Sequence, residues 1–127
     1  MGGPEIPNAP ELVSSREALP YCGAEIIGFS DRNPYEFIDV VPGAYDCYRG
    51  RAVSGHATEV ITVGYTIEGD PFLNIHRLMP NGREILFWDA TQDKRGPMAW
   101  VMIECDRYSE TGQNQCTDSV ELDDNGS

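Results

Sequence analysis

The sequence has few basic residues and no long apolar run. Nine Lys and Arg residues face 21 Asp and Glu residues, which gives a formal net charge of −12 over 127 residues. Because an acidic surface repels phosphate groups and anionic lipids, we expect no binding to nucleic acid or to a membrane surface. No run of about 18 apolar residues occurs, so the sequence predicts no transmembrane helix. Three explanations of the negative net charge stay open: it keeps the protein soluble, it attracts a basic partner, or it binds a cation.

Known catalytic and phosphate-binding motifs are also absent. The chain contains no GxSxG, no HExxH, no P-loop and no GxGxxG. We predict that His56 caps or borders a helix and that His76 plays a structural part in a strand, rather than either acting as a base. The sequence therefore favours a protein without enzymatic activity but does not exclude an enzyme.

Four cysteines occur without the paired spacing of a zinc site. The sequence therefore favours two disulfides over a metal site or free thiols. Of the three pairings that four cysteines allow, we predict Cys22–Cys47 and Cys105–Cys116, because each joins neighbours along the chain. Such bridges predict a secreted or cell-surface protein, with its signal peptide absent from this chain.

Four β-rich runs lie between residues 59 and 105. Apolar and polar residues alternate over residues 59–67, which is typical of a half-buried strand. Further runs cover residues 72–79, 83–89 and 98–105. Asn81-Gly82 separates two of them and is a strong hairpin signal. Short connections of this kind predict an antiparallel meander, and residues 22–29 predict an additional strand at its edge.

Residues 42–53 are the best candidate for a helix. Pro42 suits a first turn and Gly55 suits a stop after the last turn. A stripe of apolar residues recurs at helical spacing: Val41, Ala44, Tyr48 and Ala52. We therefore predict an α+β fold, with one helix packed on a four- to five-stranded antiparallel meander sheet, cystatin-like in style.

The regions that flank this predicted domain differ in composition. Residues 1–20 contain four prolines and predict an extended linker. Residues 21–107 form the single α+β domain. Residues 108–127 form an acidic tail that Cys116 pins back, and within it we expect residues 117–127 to be disordered.

Acidic side chains gather at two of the predicted turns. Glu68 and Asp70 close the first hairpin, whereas Asp89, Thr91 and Asp93 place oxygen atoms at alternate positions, as the start of a calcium loop does. The turns after the first and third strands of a meander lie at the same end, so we expect these carboxylates to converge. This end could bind calcium, through Asp89, Thr91 and Asp93, or a basic partner. The alternatives are Asx turns that hold the two loops and an acid–base pair.

Two tryptophans give a second candidate site. If Trp88 and Trp100 both lie on the face away from the helix, they form an exposed apolar patch, which usually marks an interface. The alternative is that residues 22–41 cover that face as a second layer.

Several stretches resemble a group of small bacterial secreted or lipoprotein domains of uncharacterised function. They are YTIEGDP at residues 65–71, the Asn81-Gly82 hairpin, DATQDKRG at residues 89–96, DCY at residues 46–48 and CGAE at residues 22–25. The last two are similar to actinobacterial-type members. The resemblance covers residues 20–107 and implies an exported protein, often lipid-anchored through an upstream cysteine, but no activity. Cys116 and the acidic tail depart from the pattern.

These observations lead to one preferred function and two alternatives. We expect a non-enzymatic extracytoplasmic binding or interaction module, because no nucleophile or metal constellation is recognisable and the cysteines indicate export. The alternatives are a calcium-binding domain that uses the acidic turns and a small carboxylate-dependent hydrolase. No other cofactor is expected, and the partner is an unidentified protein or small ligand.

Overall fold

A computed structural model describes residues 2–28 and 32–122 of the chain. Six strands form one sheet: β1 (Tyr21–Ile26), β2 (Thr58–Tyr65), β3 (Pro71–Leu78), β4 (Glu84–Asp89), β5 (Trp100–Cys105) and β6 (Val120–Leu122). Their order across the sheet is their order in the chain. β1 pairs with β2 in parallel, and every later pair is antiparallel.

Two helices accompany the sheet, the short α1 (Glu11–Ser14) and the longer α2 (Ala44–Val53). Within the described part of the chain, neither has the length and apolar character that crossing a membrane requires.

The helices and the strand pairings confirm the predicted α+β class and the mostly antiparallel sheet. The sheet has one strand more than the predicted maximum, and its edge strand β1 runs parallel because α2 connects it to β2.

The additional strand lies where the sequence predicted disorder. The disulfide between Cys105 and Cys116 returns the chain to the end of β5. Val120–Leu122 then pairs with the first half of β5, with Leu122 opposite Trp100. The remaining residues of that prediction, 123–127, lie outside the described residues.

One face of the sheet, here called the helix side, is covered by α2. Ala44, Tyr48 and Ala52 pack against Val60 and Leu78 and form a small core, as predicted. The prediction was wrong for Val41, the fourth residue of the stripe, which precedes α2 and is exposed. The second disulfide, between Cys22 and Cys47, fastens α2 to β1. Both predicted cysteine pairings are confirmed.

The opposite face, here called the N-terminal side, is covered by irregular chain. Ile6 and Val13 from the N-terminal segment, with Tyr35 and Ile38, pack on a sheet face of Ile61, Val63, Leu73, Ile75, Phe87 and Trp100. We predicted an extended linker over residues 1–20, whereas residues 2–20 pack on the sheet. Their few apolar side chains suffice because this face presents an apolar row in every central strand.

A buried ion network anchors this N-terminal cover. Glu59 is 1% exposed and its Oε1 accepts hydrogen bonds from Arg16 Nε at 3.0 Å and from Arg77 Nε at 2.8 Å. Arg77 also donates to the backbone carbonyl of Glu17, and Arg16 donates to the carbonyls of Val13 and Pro4. Arg77 interrupts the otherwise apolar face of β3 because it holds the N-terminal segment in place.

Candidate functional site

The two acidic turns meet at one end of the sheet. The backbone N–H of Lys94 donates to Asp70 Oδ2 at 3.1 Å. Arg95 Nε lies 3.6 Å from Glu68 Oε2 in an exposed ion pair. The turn after β2 therefore holds the loop after β4, and the carboxylates of Glu68 and Asp70 are occupied in doing so.

Asp89 and Asp93 are largely bonded within their own loop. Asp89 Oδ1 accepts from the backbone N–H of Thr91 at 3.0 Å and from its hydroxyl at 2.6 Å. Asp93 Oδ1 accepts from the backbone N–H of Arg95 at 3.1 Å. Among residues 2–28 and 32–122, no group of three or more His, Cys, Asp or Glu side chains is arranged to hold a metal ion. This geometry matches the Asx-turn alternative, and calcium binding stays a prediction.

A cavity of about 590 Å³ opens beside Asp89. Three segments form its walls: the N-terminal cover, the stretch before α2, and the end of β4 with its following loop. The lining residues are Ile6, Pro7, Asn8, Pro34, Tyr35, Glu36, Phe37, Asp89, Thr91, Gln92 and Trp100. We call this cavity the cleft. It brings together three residues of the predicted sites, Asp89, Thr91 and Trp100, whereas Glu68, Asp70, Asp93 and Trp88 lie outside it.

The two tryptophans lie on opposite faces of the sheet. Asp89 pairs with Trp100 across β4 and β5, and its neighbour Trp88 pairs with Val101. Since successive residues of a strand alternate between faces, Trp100 belongs to the N-terminal side and Trp88 to the helix side. Trp100 is 6% exposed and packs in the core beneath residues of the segment 22–41. A single patch containing both tryptophans therefore does not form.

Tyr35 is the distinctive polar group of the cleft. It is 7% exposed. Of the buried side-chain nitrogen and oxygen atoms in the described chain, its hydroxyl oxygen and Arg51 Nε are the two without a hydrogen-bond partner. Burial, reinforced by the negative charge of Asp89, raises the pKa of Tyr35, so the hydroxyl stays neutral. An unpaired buried hydroxyl costs about 1–3 kcal/mol, and a ligand that bonds to it would remove that cost.

The charge of the cleft has one sign. Asp89 and Glu36 contribute carboxylates, and none of the described lining residues is basic. Tyr35, Phe37 and Trp100 contribute aromatic rings, whose faces attract cations. The lining thus favours a positively charged group over an anion.

Sequence reasoning missed eight of the eleven residues that line this cleft. Tyr35, Phe37 and Asn8 were not among the predicted site residues, although two aromatic residues spaced by one position in a turn-rich segment were an available signal. Asp89, Thr91 and Trp100 were named, but for a metal loop and for an exposed patch rather than for a cavity.

Comparison with protein-family models, with curated proteins and with solved structures finds no match for this chain. The resemblance to the small exported domains with the TIEGDP motif therefore stays a prediction.

Proposed function

We propose that this chain is a non-enzymatic extracytoplasmic binding module whose cleft receives a cationic group, a primary amine or a guanidinium. The observation that carries this proposal is the buried, unpartnered hydroxyl of Tyr35 beside the Asp89 carboxylate, in a cleft with no basic residue in its described lining. The two disulfides are consistent with an extracytoplasmic location.

The hydrogen-bonding capacity of the cleft matches an N–H-rich cation. Thr91 occupies Oδ1 of Asp89, whereas Oδ2 makes no hydrogen bond to a described residue. The oxygen of the Tyr35 hydroxyl can accept a hydrogen bond. An ammonium or guanidinium group offers several donors and can bond to Asp89 Oδ2. A second bond, to the Tyr35 hydroxyl, requires a small movement of that side chain, because its oxygen is buried. A bond between a charged donor and a carboxylate is about twice as strong as a neutral one.

The ligand can be part of a larger partner. A chain of net charge −12 attracts basic proteins over long range, and this raises the rate of encounter more than the final affinity. A lysine or arginine side chain of such a partner has the shape of the proposed ligand, a cation on an apolar stem. The two alternative functions have less support, because two of the carboxylates they need, Asp70 and Asp93, accept hydrogen bonds from the backbone of the loop after β4.

Calorimetric titration with benzylamine, compared with neutral benzyl alcohol, tests the proposal. We expect benzylamine to bind at least about tenfold more tightly than the alcohol, because only the amine gains a charge-assisted hydrogen bond. Asp89→Asn should remove this preference. The asparagine oxygen can still accept the two bonds from Thr91, so the loop is kept.

Two tyrosine variants provide a matched comparison for this titration. Tyr35→Phe removes the hydroxyl in the cleft and should weaken benzylamine binding. Tyr45→Phe makes the same change on the helix side and should leave binding as in the wild type. Equal affinity for the amine and the alcohol, or equal affinity in both tyrosine variants, would contradict the proposed cleft.

A further inference from the structure

A second cavity lies on the helix side of the sheet. It has a volume of about 280 Å³ and is lined by Ile27, Tyr45, Thr62, Asn74 and His76. Thr62 is paired with Asn74 across β2 and β3, and the next pair along these strands is Ile61 with Ile75. Ile61 and Ile75 face the core on the N-terminal side, so Thr62 and Asn74 face the helix side. The cavity, here called the helix-side pocket, is therefore separated from the cleft by the thickness of the sheet.

The side chain of Asn74 in this pocket is left unused by the fold. Thr62 Oγ1 and His76 Nε2 lie 2.9 Å apart and satisfy each other. The carboxamide of Asn74, by contrast, makes no hydrogen bond to any described side chain or backbone group. It stands on the central strand β3, whose two neighbours fix its position. Asn74 thus presents a donor and an acceptor side by side on a rigid support.

The pocket carries no formal charge among its described lining residues. Burial lowers the pKa of His76 to about 4, so its imidazole is neutral near physiological pH. The ring of Tyr45 lies edge-on to that imidazole, with the centroids 5.7 Å apart. A charged ligand would lose its hydration here without gaining a counter-charge from the lining. An uncharged ligand avoids this cost.

Apolar side chains continue from the pocket across the sheet. Trp88 is opposite Asn74 in the neighbouring strand and shares its face. Phe72 and Leu86 belong to the same face, and all three are half-buried. α2 packs against Val60 and Leu78 at the other end of this face and reaches His76 through Tyr45 and Tyr48. A ligand with an apolar or aromatic body would therefore find contact on both sides of Asn74.

We propose that the helix-side pocket binds an uncharged carboxamide, which pairs its C=O and N–H with Asn74 and lays an apolar body against Tyr45 and Ile27. The carboxamide edge is the complement of the asparagine edge, since each offers one donor and one acceptor in the same plane. This site shares no lining residue with the cleft, so its failure would leave the cleft proposal standing.

Titration of the full chain with benzamide, followed in two-dimensional NMR spectra, tests this site. Trp88 lies beside Asn74 and Trp100 lies on the other face, so the two indole N–H signals act as reporter and internal reference. We expect benzamide to shift the Trp88 signal and the backbone signals of Asn74 and His76, while the Trp100 signal stays in place. Benzoate has the same ring but carries a charge, and it should leave all of these signals unmoved.

Substitutions at Asn74 decide whether the carboxamide is recognised. Asn74→Leu keeps the side-chain shape and Asn74→Val suits a strand; each should weaken benzamide binding about tenfold, the value of one hydrogen bond of about 1.4 kcal/mol. Val53→Ala, a change at an exposed residue of α2 outside both cavities, should bind like the wild type. Equal shifts by benzamide and benzoate, or unchanged affinity in both Asn74 variants, would overturn the proposal.

Discussion

The two faces of the sheet are covered by different kinds of chain and differ in how their buried tyrosines are paired. On the helix side, the buried Tyr48 hydroxyl donates to Glu84 Oε2 at 2.7 Å. On the N-terminal side, the buried Tyr35 hydroxyl has no partner. A regular helix fixed by a disulfide brings Tyr48 onto its acceptor, whereas irregular segments cover the other face and leave a cleft beside Tyr35. We therefore place the proposed cationic ligand on the N-terminal side, where irregular segments cover the sheet.

The largest expected effect comes from breaking the anchor of the N-terminal cover. Glu59→Gln removes the only carboxylate that the structure shows bonded to Arg16 and Arg77, and leaves two buried cations uncompensated. We expect a loss of about 3–5 kcal/mol in the free energy of unfolding, measured in urea. Glu110→Gln, which breaks the exposed pair with Arg49, should cost less than about 1 kcal/mol. Similar losses in both variants would contradict the anchoring role of Glu59.

The second effect concerns the helix side and depends on pH. The folded-state pKa of His76, lowered to about 4 by burial, lies below the ordinary value of about 6.5. The unfolded chain therefore binds more protons between these values, so stability is full above about pH 6.5 and falls as the pH drops to about 4. The His76 contribution to this loss is about 3 kcal/mol. Burial raises the pKa of Glu84, which has the opposite sign and offsets part of the loss.

Urea unfolding at several pH values between these limits separates His76 from the other groups. His76→Asn should flatten the profile relative to the wild type, whereas His56→Asn, a change at an exposed residue, should preserve it. Parallel profiles for the wild type and His76→Asn would show that His76 does not titrate as described.

The third effect comes from removing the Tyr48 hydroxyl, which is hydrogen-bonded to Glu84. Tyr48→Phe leaves Glu84 Oε2 without its donor in a largely buried position. We expect a loss of about 1–3 kcal/mol in the free energy of unfolding, the cost of an unsatisfied buried acceptor. Thermal and urea unfolding measure it directly. Unchanged stability of the Tyr48→Phe variant would mean that this hydrogen bond does not stabilise the helix side.

The smallest effect on stability, and the sharpest contrast, is expected at Tyr35. Tyr35→Phe removes a buried hydroxyl that has no partner to lose. Stability should therefore stay the same or rise by up to about 1 kcal/mol, because an unpaired buried hydroxyl is unfavourable. A loss comparable to that of Tyr48→Phe in the same unfolding assay would show that Tyr35 is bonded in the folded protein and is not reserved for a ligand.

The four strands of the meander could be predicted from sequence because their signals are local. Alternation over residues 59–67 and the Asn81-Gly82 turn establish strands and hairpins from neighbouring residues alone. The N-terminal cover could not be predicted in this way. Ile6, Val13 and Leu19 are too widely spaced to show a period, and the partner of Arg16 lies 43 residues away.

Most of the cleft could not be predicted for the same reason. Asp89 and Thr91 form a local motif that can be recognised in sequence, although the motif alone does not separate an Asx turn from a metal loop. Tyr35 becomes a site residue only when the stretch before α2 folds over Trp100 and meets the N-terminal cover. No spacing within the chain indicates that meeting.

The central claim is that the cleft on the N-terminal side binds a cationic group. Titration of the full chain with benzylamine tests it most directly when the two tryptophan indole N–H signals are followed by NMR. Trp100 lines the cleft, whereas Trp88 lies on the other face; a Trp88→Phe variant assigns the two signals. We predict that the Trp100 signal moves on titration while the Trp88 signal stays in place, and that Tyr35→Phe reduces the movement. A shift confined to Trp88, or no shift of either signal, would contradict a cation-binding cleft on the N-terminal side.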